Sequence, residues 1–200
     1  MKVYLYFIFL ITLGFSKLSN EAKIYNVEKQ FNQLTNKNWY YKWNDNGTPH
    51  RIFGNYIPYN FNAQDPNISE FKARSFIDNN NFLFNVKNND LELWVNDMKG
   101  NIRYLIFNQN YQGIPVWNAR IDFRYRLNGD LVLLGNDSFN DININTNPTI
   151  SMINATELAK NHVGYSELKG DYMIEESEQY IWVNQSKKST YHLTWLVELY

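Results

Sequence analysis

The chain has 200 residues with a formal net charge of −1, and 44% of its residues are hydrophobic. This composition supports a packed core in one or two domains, and the near-neutral charge disfavours nucleic acid, since binding to phosphates needs a basic surface. The chain contains no cysteine, which excludes disulfides, thiolate metal sites and cysteine nucleophiles.

The first sixteen residues have the features of a secretory signal peptide. Lys2 supplies a positive charge, Val3–Leu13 is an almost wholly apolar run, and Gly14 and Ser16 are small residues that fit cleavage after Ser16. The run is shorter than the ~20 residues that a membrane-spanning helix needs. We therefore expect a secreted protein, periplasmic or extracellular, without stable membrane insertion. The alternative is a buried strand or a retained anchor.

Residues 17–62 form a polar, asparagine-rich N-terminal extension with weak periodicity. Its local signals predict a weak helix, a strand, a turn and an extended segment, in that order. These elements are expected at Lys23–Leu34, Trp39–Trp43, Asn44–Gly47 and Thr48–Gly54.

A short helix is expected after the breaker Asp65–Pro66. Ser69 is its candidate N-cap, because a serine hydroxyl can accept from a free amide of the first turn. Ala73, Phe76 and Ile77 recur at helical spacing and predict the buried stripe.

A β-meander is predicted next. In its third strand, apolar Ile121, Phe123 and Tyr125 alternate with charged residues, which is typical of a sheet with one dry and one wet face. Asn128–Gly129 favours a two-residue type I′ hairpin, because that turn needs two positive φ angles. The four strands are expected at Leu91–Val95, Ile102–Gln109, Ile114–Tyr125 and Leu131–Gly135.

Residues 147–200 repeat the order of a helix followed by strands. Ser151 is the candidate cap of a helix over Met152–Val163, whose residues Ala155, Leu158, Ala159 and His162 share one side. Three strands are expected at Tyr172–Ile174, Tyr180–Val183 and Tyr191–Leu199. Because the sequence stops within an apolar strand, we expect a fragment of a longer protein.

The element order predicts an α+β fold of two small units, each a short helix packed on an antiparallel β-sheet. The units are expected at residues 63–146 and 147–200, after the signal peptide and the N-terminal extension.

The sequence offers few groups for catalysis. It contains no His-Glu-x-x-His helix, no Gly-x-Ser-x-Gly elbow and no Walker loop. His50, His162 and His192 are expected to be structural or exposed, and Asp137 and Asp141 to lie in solvated loops. The residues therefore predict a non-catalytic binding module with no cofactor of its own.

The stretch Phe107–Arg120 resembles the fungalysin/thermolysin propeptide (FTP) domain. That family has the signature Gln-x-Tyr-x-Gly-Ile-Pro-Val with a small residue three positions later, and the resemblance extends over about residues 65–142. Residues from Pro148–Ser151 to Tyr191–Trp195 are similar to the PepSY-like propeptide domain that often follows. The signature positions matched here are Gln109, Tyr111, Gly113, Ile114, Pro115, Val116 and Ala119.

The resemblance implies the pro-region of a secreted zinc metallopeptidase, which inhibits the catalytic domain and helps it to fold. The partner would be that catalytic domain, in cis or in trans, and the zinc would belong to it. Gln109 and Tyr111 are the motif residues expected to face the partner. Two alternatives stay open: a freestanding secreted protease inhibitor or protein-binding module, and a motif that serves only as a hairpin device.

Overall fold

The computed structural model describes residues 21–84, 86–173, 177–184 and 189–200. These ranges contain four α-helices and eight β-strands, which confirms the predicted α+β class. The elements are α1 (residues 21–35), β1 (Tyr40–Trp43), β2 (Pro49–Ile57), α2 (Pro66–Asn79), α3 (Asn81–Phe84), β3 (Leu91–Lys99), β4 (Ile102–Tyr111), β5 (Ile114–Arg126), β6 (Leu131–Asn136), α4 (Met152–Val163), β7 (Glu178–Asn184) and β8 (Thr190–Leu196). The predicted signal peptide with Ser16, and Ile174 of a predicted strand, lie outside the described residues.

All eight strands belong to one sheet. Six of them follow the order β1-β2-β6-β5-β4-β3 and pair antiparallel, while β7 pairs parallel with β5 and antiparallel with β8. We call residues 21–136 the N-terminal half and residues 137–200 the C-terminal half. The helix-and-strand units predicted from the sequence therefore share a sheet that is continuous through β5.

The larger hydrophobic core lies in the N-terminal half. It joins α1, α2 and α3 to five strands, and aromatic rings form its centre. Phe123 on β5 contacts the rings of Phe76, Phe84 and Phe107 with centroids 5.9–6.3 Å apart. The N-terminal extension contributes to the same core through residues such as Phe31, which is 1% exposed.

Helix α2 confirms the predicted stripe but not the predicted cap. Ala73, Phe76 and Ile77 are buried as expected. The cap is Asp65, whose Oδ1 accepts from two amides of the first turn, and Pro66 occupies the start of the helix, where its missing N–H costs nothing. The assignment of Ser69 as cap is wrong, because Ser69 is buried within the helix and donates to the Asp65 carbonyl.

The turn between β5 and β6 also differs from the prediction. Gly129 has a φ of +84°, whereas Asn128 is not left-handed, so the turn is not type I′. Backbone bonds from Gly129 N to Arg126 O and from Arg126 N to Asp130 O close a three-residue loop ending in a left-handed glycine. A Cβ on Gly129 would lie 2.5–2.8 Å from atoms of Phe61, so close packing also favours glycine here.

The C-terminal half has a smaller core and a sparsely packed helix. Val116, Ala119, Phe139, Ile181 and Val183 form this second core. Helix α4 has the predicted bounds and the predicted Ser151 cap, but Ala155 is its one buried residue and Leu158 is 61% exposed. Among the described residues, the predicted strand at Tyr172 is reduced to an isolated bridge between Met173 and Leu199.

None of the helices in the described ranges is long and apolar enough to cross a membrane.

Candidate functional site at the junction of the two halves

The FTP-like motif starts at Gln109 near the end of β4 and continues through the turn into β5. Gln112 and Gly113 have φ angles of +52° and +84°, the pair of left-handed residues that a type I′ turn requires. Tyr111 and Ile114 flank this turn as the first partners of the hairpin. A Cβ on Gly113 would meet no atom within 4 Å, so its glycine serves the backbone conformation alone.

A large bulge in β5 follows the hairpin. Asn110 pairs with Pro115 and Asn108 pairs with Arg120, so β5 advances five residues while β4 advances two. Asn118, within the bulge, has a φ of +57°. Bulges bend a strand and re-aim its side chains, and this one separates the hairpin end of β5 from its central part.

The bulged part of β5 is where the C-terminal half attaches. β6 ends at Asn136, which pairs with Ile121, so the preceding part of that edge of β5 is open to another strand. β7 pairs there through Val116 and Ile181. Val116 and Ala119 are only 2–3% exposed, because both face the second core.

Gln109 holds the segment after β6 at the same place through two hydrogen bonds to Phe139, which we call the Gln109 clamp. Its Nε2 donates to the Phe139 carbonyl at 2.6 Å, and its Oε1 accepts from the Phe139 amide at 2.8 Å. The side chain is 4% exposed, so both bonds form away from water. The sequence predicts that Gln109 faces a partner. In the structure its side chain is instead buried, and its amide forms its hydrogen bonds within the chain.

The other motif residues lie around this joint. Tyr111 and Ile114 are half-buried and pack against the second core, and Pro115 is half-buried in the hairpin. The structure thus brings all seven motif positions to the junction of the two halves. Their arrangement positions two parts of a sheet, and it contains no nucleophile or general base.

An aromatic face lies on the other side of the junction from the second core. Trp117, which follows Val116 within the bulge, has its ring centroid 5.4 Å from that of Tyr180 and 5.9 Å from that of Trp182. On β8, the cross-strand partners of Trp182 and Tyr180 are His192 and Thr194. We define the aromatic face by Trp117, Tyr180 and Trp182. The residue analysis missed it, although the alternation of Tyr180 and Trp182 signalled one aromatic side of the strand.

A buried ionic network supports the same region. The Asp122 carboxylate is 3% exposed and lies 3.1 Å from Arg51 Nη2 and 3.4 Å from Arg124 Nη1. Arg51 also reaches Asp137, the first residue of the C-terminal half, at 3.1 Å, and His50 Nδ1 lies 2.6 Å from the same carboxylate. The expectation of a solvated Asp137 is therefore wrong, because its oxygens are bound by β2.

Asp141 is exposed, as expected, and accepts a hydrogen bond from the Tyr191 hydroxyl. Burial, and then this bond to Asp141, raise the pKa of Tyr191 well above its usual value. His162 and His192 are exposed. Within the described ranges, no three histidine, aspartate or glutamate side chains gather as a metal site would require.

A cavity of about 280 Å³ lies away from the junction, between α1, the turn before β2, and α3. Lys23, Val27, Thr48 and Leu83 are among the residues that line it. It contains no motif residue, and no cluster of titratable groups accompanies it in the described part of the chain.

No protein-family model matches the sequence, and no curated protein matches it. Among solved structures, the chain is similar to the Bacillus megaterium YpeB C-terminal domain, with a TM-score of 0.39 and 13% sequence identity. The likeness covers 75% of this chain and 62% of that chain, so this chain spans less than two thirds of the structure it matches.

Proposed function

We propose that this chain is the pro-region of a secreted zinc metallopeptidase of the thermolysin or fungalysin type. The observation that carries the proposal is the match of seven signature positions within Gln109–Ala119. Their position at the junction supports it, because a pro-region that covers a catalytic domain needs a surface of fixed shape. The zinc belongs to the peptidase, and this chain acts by binding.

The aromatic face is the surface that we assign to the peptidase. Trp117 lies inside the motif segment, and Trp182 beside it is 47% exposed. Tryptophan and tyrosine dominate binding energy at protein interfaces, because they bury large areas at little cost in side-chain entropy. The Gln109 clamp and the Val116–Ile181 pairing hold this face in place, so the buried motif residues would act through its position.

The proposal is tested by inhibition in trans. The purified chain is titrated against a panel of thermolysin- and fungalysin-type peptidases, and we expect saturable inhibition of at least one. Trp117→Ala combined with Trp182→Ala should weaken that inhibition by about tenfold or more. Trp94→Ala is the matched control, because Trp94 is 61% exposed on β3 and lies outside the aromatic face.

Two results would overturn the proposal. One is failure to inhibit any peptidase of the panel or to assist its refolding. The other is hydrolysis of peptides by the purified chain itself. If the chain inhibits a peptidase but its coding DNA does not continue into a His-Glu-x-x-His segment, the result would instead identify a freestanding inhibitor.

A further inference from the structure

Within the described residues, the sheet has three edge strands, and two of them carry features that discourage pairing with another chain. β3 contains Glu92, Asp97 and Lys99, and its register is broken by a bulge at Trp94. β1 has only four residues, with a register shift after Lys42. Charges, bulges and short length are the usual means by which proteins protect the edge of a sheet.

The third edge, β8, has none of these features. Its seven residues, Thr190–Leu196, include no charge and no proline, and its pairing with β7 runs without a register shift. Within the described residues, β8 pairs with β7 alone, so its outer backbone groups have no strand partner. A regular edge without charges is a template for the addition of a further strand.

The side chains of β8 are half-buried or exposed, which leaves apolar surface for another strand to cover. Tyr191, Leu193, Trp195 and Leu196 are large apolar residues, yet no residue of β8 is fully buried. Its neighbour β7, by contrast, buries Ile181 and Val183. An added strand would lie against these half-exposed side chains and remove them from water.

We infer that β8 pairs antiparallel with β8 of a second copy of this chain. The charge pattern favours this partner: an uncharged edge opposes no like charges when paired with itself, and the net charge of −1 gives little repulsion between copies. Antiparallel pairing about a two-fold axis is self-complementary. With the axis at Leu193, Tyr191 of one copy lies opposite Trp195 of the other.

The inference is tested by sedimentation velocity on the purified chain over a wide concentration series. We expect reversible dimers, and Thr190→Lys with His192→Lys should raise the dimer dissociation constant by about tenfold or more. Both positions are exposed, so the fold should tolerate the change. Trp94→Lys adds a lysine to the already protected β3 edge and should leave the dimer intact.

Hydrogen exchange keeps the inference testable if the double variant fails to fold. Backbone amides of β8 on the side away from β7 should exchange more slowly as the concentration of the unmodified chain rises. A monomer at every concentration, or an unchanged exchange rate in β8, would overturn the inference. Protection of β8 only after a peptidase is added would overturn it too, because the edge would then belong to that partner.

Discussion

The two halves of the molecule bury their apolar residues in different ways. Within the described residues, the N-terminal half has a core of eighteen buried residues, most of them on its helices and strands. The core beside the C-terminal half has five buried residues in the described ranges, and β5 of the N-terminal half supplies two of them, Val116 and Ala119. The second half is therefore built on the first, and its order depends on the junction.

This difference indicates how stability is distributed. A large aromatic core sets the stability of everything attached to it, whereas a small core opens locally at lower cost. The motif residues lie at the border, so changes there should separate the two halves.

The largest effect is expected from Phe123→Ala. Phe123 is fully buried at the centre of the aromatic core, and its loss should cost about 3–5 kcal/mol of unfolding free energy through lost burial and a cavity. Because the C-terminal half depends on β5, amides of both halves should lose protection together in hydrogen exchange. Phe71→Ala, on α2 and 66% exposed, is the control and should change little. Loss of protection confined to one half would refute this dependence.

A smaller and more local effect is expected from Ile181→Ala. Ile181 is fully buried and pairs with Val116, so the change should cost about 2–4 kcal/mol of C-terminal order. Limited proteolysis should cut the C-terminal half first, while the fluorescence and exchange signals of the N-terminal core stay native. Leu158→Ala, exposed on α4, is the control. If the N-terminal core unfolds with Ile181→Ala, the two halves form one cooperative unit.

Gln109→Glu tests the clamp without changing its shape. Glutamate still accepts from the Phe139 amide, but it cannot donate to the Phe139 carbonyl and places a carboxylate against it. We expect a loss of about 1–3 kcal/mol, because a buried polar group is left unsatisfied. Gln112→Glu is the control, since its exposed Oε1 only accepts a bond from Thr146. Equal stability of the two variants, by denaturant unfolding, would contradict the role of the clamp.

The sequence predicted local structure better than connections between distant segments. The helix over Met152–Val163 follows from a local pattern and is confirmed, and so is the burial of Ile121, Phe123 and Tyr125 on β5. The wet face expected between them is wrong at Asp122, which is buried in the ionic network with Arg51 and Arg124. The Asp65 cap was missed because Asp65 and Ser69 are both good capping residues, and the proline between them decides where the helix begins.

The connections at the junction depend on the whole fold. A glutamine such as Gln109 usually lies at the surface, and its partner Phe139 is thirty residues away, so no local pattern predicts that its amide is buried. The parallel pairing of β7 with β5 depends in turn on where β6 ends. The motif was therefore found from the sequence, while its position at the joint was not.

The smallest effect, and one of opposite sign, is expected from Tyr125→Phe. Tyr125 is buried in the N-terminal core, and within the described residues its hydroxyl has no hydrogen-bond partner. Removing that hydroxyl keeps the ring contacts with Phe123 and Phe61 and relieves the cost of a buried polar atom. At neutral pH we expect no loss, or a gain of up to about 1 kcal/mol.

Alkaline pH should sharpen this result. Burial, and then the nearby Tyr59, raise the pKa of Tyr125 well above its unfolded value of 10.0, so the neutral hydroxyl is favoured in the folded chain. The unfolded chain ionises first as the pH rises past that value, so this contribution to stability is complete below pH 10 and is lost above it. The Tyr125→Phe variant has no hydroxyl to ionise at this position and does not lose this stability. Its advantage over the unmodified chain in unfolding free energy should therefore grow above that pH. Tyr40→Phe, a 69% exposed control, should show no such growth in denaturant unfolding followed against pH. An advantage that shrinks with pH would mean that the Tyr125 hydroxyl is solvated, and that the N-terminal core is looser than its burial indicates.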